Sequence, residues 1–146
     1  MTLLVGDLAS RPPATCRPHD TVQSAARIMA QRNVGSVVVV DDDRCAVGML
    51  TDRDLVLRVV APGHALDTPV VAVMSTDVVT IPDTATVLDA ARQMMSRSCR
   101  RLPVVDEATG HVRGVISADD VLNRTGEEID AINHCLAPMR RHLVQS

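Results

Sequence analysis

The same order of residues runs along this chain twice, so it must fold as two like units. Thr15 recurs as Thr80, and Thr21-Val22 as Thr86-Val87. Ala25-Ala26-Arg27 recurs as Ala90-Ala91-Arg92, and Met29 and Arg32 as Met94 and Arg97. Val39-Val40-Asp41 returns as Val104-Val105-Asp106 at the same offset. One extra residue in the second turn then shifts the register, and Gly48, Thr51 and Asp54 match Gly114, Ser117 and Asp120. Chance does not give so many ordered matches with a single gap.

Each copy reads the same way locally. Thr21 and Thr86 suit helix N-caps, because a threonine oxygen can accept from a free N–H of the first turn. Apolar stripes follow at helical spacing, Val22, Ala25, Ala26, Met29 and Val87, Ala90, Ala91, Met94. Val37 to Val40 and Leu102 to Val105 then suit strands buried on both faces. The acidic stretches Asp41-Asp42-Asp43 and Asp106-Glu107 predict solvated hairpin turns rather than metal sites. Second strands follow at Ala46 to Leu50 and Val112 to Ile116, and helices begin at Thr51 and Ser117. With short opening strands near Thr15 and Thr80, the order is strand, helix, strand, strand, helix. Three strands and two helices of this size bury their faces poorly alone, so the copies are expected to pack as a pair. The division expected is repeat 1 over 5–61, a linker over 62–70 broken by Pro62 and Gly63, repeat 2 over 71–124, and a tail over 125–146.

Composition narrows the function. The formal charge of −3 argues against general nucleic-acid or anionic-membrane binding, which needs a basic footprint. The chain has no Phe, Tyr or Trp, so no aromatic platform for single-stranded nucleic acid exists, and a ligand base must stack on aliphatic groups. No apolar run is long enough to span a bilayer and none opens the chain as a signal peptide, so the expected location is the cytoplasm. The four cysteines, Cys16, Cys45, Cys99 and Cys135, form no CxxC pair and are expected as reduced, buried thiols.

The end of each copy carries the chemistry. Copy one reads Gly48-Met49-Leu50-Thr51-Asp52-Arg53-Asp54, and copy two Gly114-Val115-Ile116-Ser117-Ala118-Asp119-Asp120. A hydroxyl residue followed three positions later by an acid is a capping-box pattern and needs no further purpose. Placed before a helix, it can also bind a nucleotide. Backbone N–H groups and the hydroxyl can donate to phosphate, while the carboxylate can accept from ribose hydroxyls. A glycine three residues before each hydroxyl leaves room for a ligand to approach, and capping alone does not predict it.

These two motifs resemble those of a cystathionine-β-synthase (CBS) domain pair, or Bateman module. So do the strand signatures Ser36-Val37-Val38-Val39-Val40-Asp41 and Arg101-Leu102-Pro103-Val104-Val105-Asp106. The resemblance covers roughly Val5 to Leu122, and the run from Gly48 to Leu55 is typical of small stand-alone bacterial CBS proteins. It implies an α/β (α+β) fold of two βαββα-type repeats with pseudo-two-fold symmetry and two ligand clefts. The implied ligands are adenosine compounds: AMP, ADP, ATP, S-adenosylmethionine or NAD. By the resemblance, Thr51 and Ser117 contact phosphate, Asp54 and Asp120 hold ribose, and Met49 and Val115 line the base pocket. Thr15, Cys16, Thr80 and Ile81 supply backbone contacts to adenine, and Arg101 reaches phosphate. Gly48, Gly114, Ser36, Pro103 and Arg53 complete the expected ligand-binding set. The copies differ where Ser36 replaces Arg101 and where Asp119 replaces Arg53, so the two clefts need not bind equally.

No catalytic set can be named: the five histidines have no serine or carboxylate partner at a readable spacing, and no catalytic cofactor is implied. The function expected is a regulatory module, not an enzyme, that senses an adenine nucleotide and signals to an effector protein. One alternative is a ligand-free interaction or dimerisation module. A weaker one is a zinc-binding stress protein using Cys16, His19, His134, Cys135 and His142, whose spacing fits no standard zinc site. In the tail, Ile129, Ile132, Leu136, Met139 and Leu143 recur at near-heptad spacing, interrupted by Pro138. That stripe predicts an amphipathic helix, and with the resemblance it points to a homodimer.

Overall fold

A computed structural model describes residues 2–123, 137 and 138. The element order is α1 (Val5–Leu8), β1 (Thr15–Cys16), α2 (Val22–Arg32), β2 (Ser36–Val40), β3 (Ala46–Thr51) and α3 (Asp52–Leu55). A π-helical turn (Val56–Val60) and a 3-10 turn (Val70–Ala72) follow. The second repeat supplies β4 (Ile81–Pro82), α4 (Val87–Arg97), β5 (Arg101–Val105), β6 (Val112–Ser117) and α5 (Ala118–Leu122). Each repeat forms a three-stranded sheet, β1-β2-β3 in one and β4-β5-β6 in the other. The expected tail helix, with His134, Cys135 and His142, lies outside the described residues.

Local chemistry sets the element ends. Thr21 Oγ1 accepts from the Ser24 N–H at 3.1 Å, and Thr86 Oγ1 from the Asp89 N–H at 3.0 Å, so both threonines cap as expected. Asn33 and Ser98 stop the two helices in the left-handed conformation, at φ 53° and 52°. All five residues of β2 are buried, which explains its unbroken apolar run. Asp41 accepts from the Asp43 and Cys45 N–H groups at 2.9 Å, closing the acidic hairpin on itself. Asp42 pairs with Arg17.

The opening strands differ for a reason carried by one residue. In the first repeat the Val38 N–H donates to the Ala14 carbonyl at 2.9 Å, and Thr15 pairs with Val38. Pro103 holds the equivalent position in β5 and has no N–H to give. Pairing there begins one residue later, at Ile81 with Val104.

The chain divides into two compact units, and the segment that leads into each repeat packs on the other. One unit is Pro12–Val79 with Gly110–Val112; the other, among the described residues, takes in 2–11, 80–109 and 113–123. In the second unit the Val5 and Gly6 N–H groups donate to the Ala85 and Asp83 carbonyls at 2.8 and 3.0 Å, and the Val87 N–H donates to Leu3 at 3.1 Å. In the first, the Val70 and Val71 N–H groups donate to Asp20 and Pro18 at 2.8 and 2.9 Å, and the Val22 N–H donates to Thr68 at 2.9 Å. Ser10 then bridges to Val115 on β6, and Ser75 to Met49 on β3, each covering a strand edge. Val5 and Val70 are both fully buried.

The core of the first unit joins Cys16, Val37, Val39 and Leu50 of the sheet to Val22, Ala25 and Met29 of α2, with Val70 and Val73 from the crossing segment. Side chains alternate along a strand, so Thr15, Ser36, Val38, Met49 and Thr51 occupy the opposite sheet face. In the second unit Ile81, Leu102, Val104 and Ile116 are buried on one face, which puts Thr80, Arg101, Pro103, Val115 and Ser117 on the other, where Pro103 is buried as well.

Candidate functional site

The expected site residues of each repeat fall within one unit. In the first, Thr15 pairs with Val38 and Val38 with Met49, so the three form one row across the sheet. Ser36 pairs with Thr51 at the end of that face. The Asp52 N–H donates to the Gly35 carbonyl at 2.9 Å and locks the start of α3 beside the start of β2. The second repeat repeats this lock, with the Ala118 N–H donating to the Arg100 carbonyl at 2.8 Å. Arg101 therefore starts its strand beside Ser117.

Both motifs fold as reciprocal capping boxes. Thr51 Oγ1 accepts from the Asp54 N–H at 3.1 Å, and Asp54 Oδ2 accepts from the Thr51 N–H at 2.9 Å. Ser117 Oγ accepts from the Asp120 N–H at 3.1 Å, and Asp120 Oδ2 from the Ser117 N–H at 2.9 Å. Each hydroxyl keeps its own proton to donate, and each carboxylate keeps a second oxygen, Oδ1, to accept. Capping fixes these groups in place without exhausting them.

The glycines have a structural cause that sequence reasoning did not supply. A Cβ on Gly48 would lie 2.3 Å from Met74 Sδ, and one on Gly114 would lie 2.7 Å from the Ser10 carbonyl oxygen. The chain's own crossing segment fills the space each glycine leaves. Cys16 likewise points into the core, 4% exposed, and its backbone faces β2 in the parallel ladder that pairs it with Val39. Burial first, and then the charge of Asp20, push its thiol up to about 12. The burial expected of the thiols is met at Cys16, while Cys45 and Cys99 are only partly buried. Arg53 is exposed and lines a shallow depression with Asp52, Val56 and Leu57.

Two features of the site were not anticipated. The first is the crossing segment, which touches β3 at Met49 and Gly48. The second is Arg58, whose Nε lies 3.8 Å from Asp54 Oδ1 and whose Nη1 donates to the Val73 carbonyl at 3.0 Å. The sequence held a signal for it, because Asp54 and Arg58 stand at i,i+4 spacing and so do Asp120 and Arg124. Arg124 lies outside the described residues. Among the described residues no group of three His, Cys, Asp or Glu side chains could hold a metal ion, and no helix is long and apolar enough to cross a membrane.

The sequence profile of the CBS domain matches residues 5–61 and again 70–127. This chain belongs to the CBS-domain family. Among CBS proteins it is 39% identical over 117 residues to the CBS domain-containing protein YhcV of Bacillus subtilis, covering 80% of this chain and 81% of that one. The CBS domain protein PAE2072 of Pyrobaculum aerophilum, solved with AMP, superposes with a TM-score of 0.77 at 30% identity, over 93% of this chain and 99% of that one. The CBS domain pair of protein MJ0100, solved with 5′-methylthioadenosine and S-adenosylmethionine, gives 0.74 at 26% identity, over 83% and 94%. The tandem CBS architecture that the resemblance implied is thus the architecture found.

Proposed function

We propose that this CBS pair is a regulatory module that binds an adenosine ligand, with no catalytic role, and passes its occupancy to an effector protein. The observation that carries the reading is the pair of matching junctions, Thr51 with Asp54 and Ser117 with Asp120, each with a hydroxyl proton and a second carboxylate oxygen that the cap does not use. The AMP and S-adenosylmethionine complexes of similar CBS proteins support it. In this reading Thr51 and Ser117 donate to phosphate, and Asp54 and Asp120 accept from ribose. Met49 and Val115 pack on the base, and Arg101 adds charge for phosphate in the second repeat alone. Thr15 supports adenine in particular. A parallel ladder engages alternate residues, and Ala14 is the one bonded to β2. The Thr15 N–H and C=O therefore point to the outer edge of β1, a donor and an acceptor that complement N1 and the amino group of adenine.

A second reading, a ligand-free interaction or dimerisation module, is favoured by the exposed apolar Val56, Leu57 and Val60, at 56%, 51% and 69%. Calorimetric titration with AMP, ATP and S-adenosylmethionine, with GTP as control, separates the two. The expected result is binding of an adenosine ligand. Asp54→Asn and Asp120→Asn keep an acceptor for the cap and remove the charge. Each should weaken its site about tenfold or more, the worth of a charge-assisted hydrogen bond of about 1.5–3 kcal/mol. Unchanged affinity in the double variant would overturn the site. Absence of heat from every ligand, with a dimer by light scattering, would select the interaction module.

A further inference from the structure

The structure assigns to Arg58 a coupling role: it joins the Asp54 carboxylate to the crossing segment that covers the edge of β3. The inference rests on the reading above in taking Asp54 as a ligand group. Asp54 Oδ2 is held by the Thr51 N–H, so Oδ1 is the oxygen left for a ribose hydroxyl. Arg58 Nε approaches that same oxygen, at 3.8 Å. The other end of the guanidinium donates to the Val73 carbonyl at 3.0 Å. One side chain thereby touches the proposed ligand atom and the segment that leads into the second repeat.

That segment is tied to the site at another point. Ser75 and Met49 exchange two backbone hydrogen bonds, both at 3.0 Å, and Met74 fills the space above Gly48. Between these contacts and the buried Val70 and Val73, the Arg58 bond is the side-chain hold on the segment's backbone. Arg58 is about half exposed and sits in the π-helical turn, a local widening that recurs where helices carry function. A ligand that immobilises Asp54 leaves less freedom to be lost when Arg58 bridges to Val73. Occupancy then tightens the segment, and by linkage a tighter segment raises ligand affinity by the same factor. The route runs from ribose hydroxyl to Asp54, Arg58, Val73 and on along the chain towards β4.

Amide hydrogen exchange at Met74 and Ser75, whose N–H groups donate to Val70 and Met49, tests this. In the ligand-free protein, Arg58→Ala and Asp54→Asn should each speed that exchange by up to about fivefold, as loss of an exposed ion pair allows. The double variant should go no further than either single one. AMP should slow exchange at both amides in the unaltered protein, while Arg58→Ala should bind AMP without that slowing. Arg58→Lys keeps the stem and the charge, but one ammonium cannot hold Asp54 and Val73 at once, so it should behave like the alanine variant. Unchanged exchange in ligand-free Asp54→Asn overturns the link. So does slowing by AMP that survives in Arg58→Ala, which would place the route through Met49. Failure of AMP, ATP and S-adenosylmethionine alike to bind the unaltered protein overturns the proposed function, and the ligand-free comparison still decides the Arg58 link.

Discussion

Cys16 follows Thr15 in β1, and its side chain belongs to the core, as a buried strand residue should. Its thiol ionises at about 12 in the fold against 9.0 ordinarily, because burial disfavours the thiolate and Asp20 repels it. The unfolded chain therefore loses this proton first as pH rises, and stability falls between about pH 9 and pH 12. The chain has no tyrosine and all its Lys+Arg positions are arginine, so the side chains that matter in that window are thiols. Cys99 is raised in the same direction, mainly by burial, and adds to the loss. We expect urea stability to drop by up to about 2 kcal/mol between about pH 8 and pH 10.5 on account of Cys16. Cys16→Val should remove that part, and an alkaline loss of equal size in the variant would refute the assignment. The same residue shows the limit of reading types from a sequence. The sequence placed Cys16 on a buried strand, and the register with Val39 showed which sheet face the thiol takes.

At the scale of the element, the two motif glycines are equivalent in sequence and unequal in what they meet. Gly114 faces the Ser10 carbonyl oxygen and, at 3.1 Å, the Ala9 Cβ, which can move only with the backbone of the crossing segment. Gly48 faces the Met74 side chain, which has rotatable bonds to give way. Gly114→Ala should therefore cost about 1–3 kcal/mol as an overpacked site, and Gly48→Ala clearly less. Removing the thioether with Met74→Ala should rescue Gly48→Ala further. Urea denaturation of the three variants measures this, and the reverse order would mean that the glycines serve some other need. The helices were more legible than the glycines. Thr21, Thr86 and the apolar stripes announced α2 and α4, because caps and periodicity are local. Their ends at Asn33 and Ser98 were not announced, since left-handed residues other than glycine carry a weak signal.

Over the whole molecule, neither unit is a continuous stretch of chain. Residues 2–11 precede β1 and are packed on the second repeat. Deleting residues 2–11 should thus leave the first repeat nearly intact and destabilise the second. It removes the fully buried Val5, worth about 1.5–3 kcal/mol, and the Ser10 bridge to β6. Exchange of the Val87 and Val115 amides, bonded to Leu3 and Ser10, should quicken while that of Val22 stays unchanged. Equal effects on both repeats would contradict the exchange of segments. The deletion also strips the segment from the β6 edge beside Val115. In the proposed function, any nucleotide affinity lost with it belongs to the second repeat.

The sequence by itself determined the two repeats, their element order, the caps and the hydroxyl–carboxylate junctions. Each of these depends on residues a few positions apart, and the repetition supplied an internal check. It also placed the chain near a family, through motifs that needed no structure to be read. Only the tertiary structure decided which repeat each lead-in segment joins, because the residues it meets are far away in sequence and the same hydrogen bonds could close either way. That choice explains Gly48 and Gly114 by the close approach of Met74 and Ser10. It also brought Arg58 between Asp54 and Val73, a meeting that no local pattern encodes.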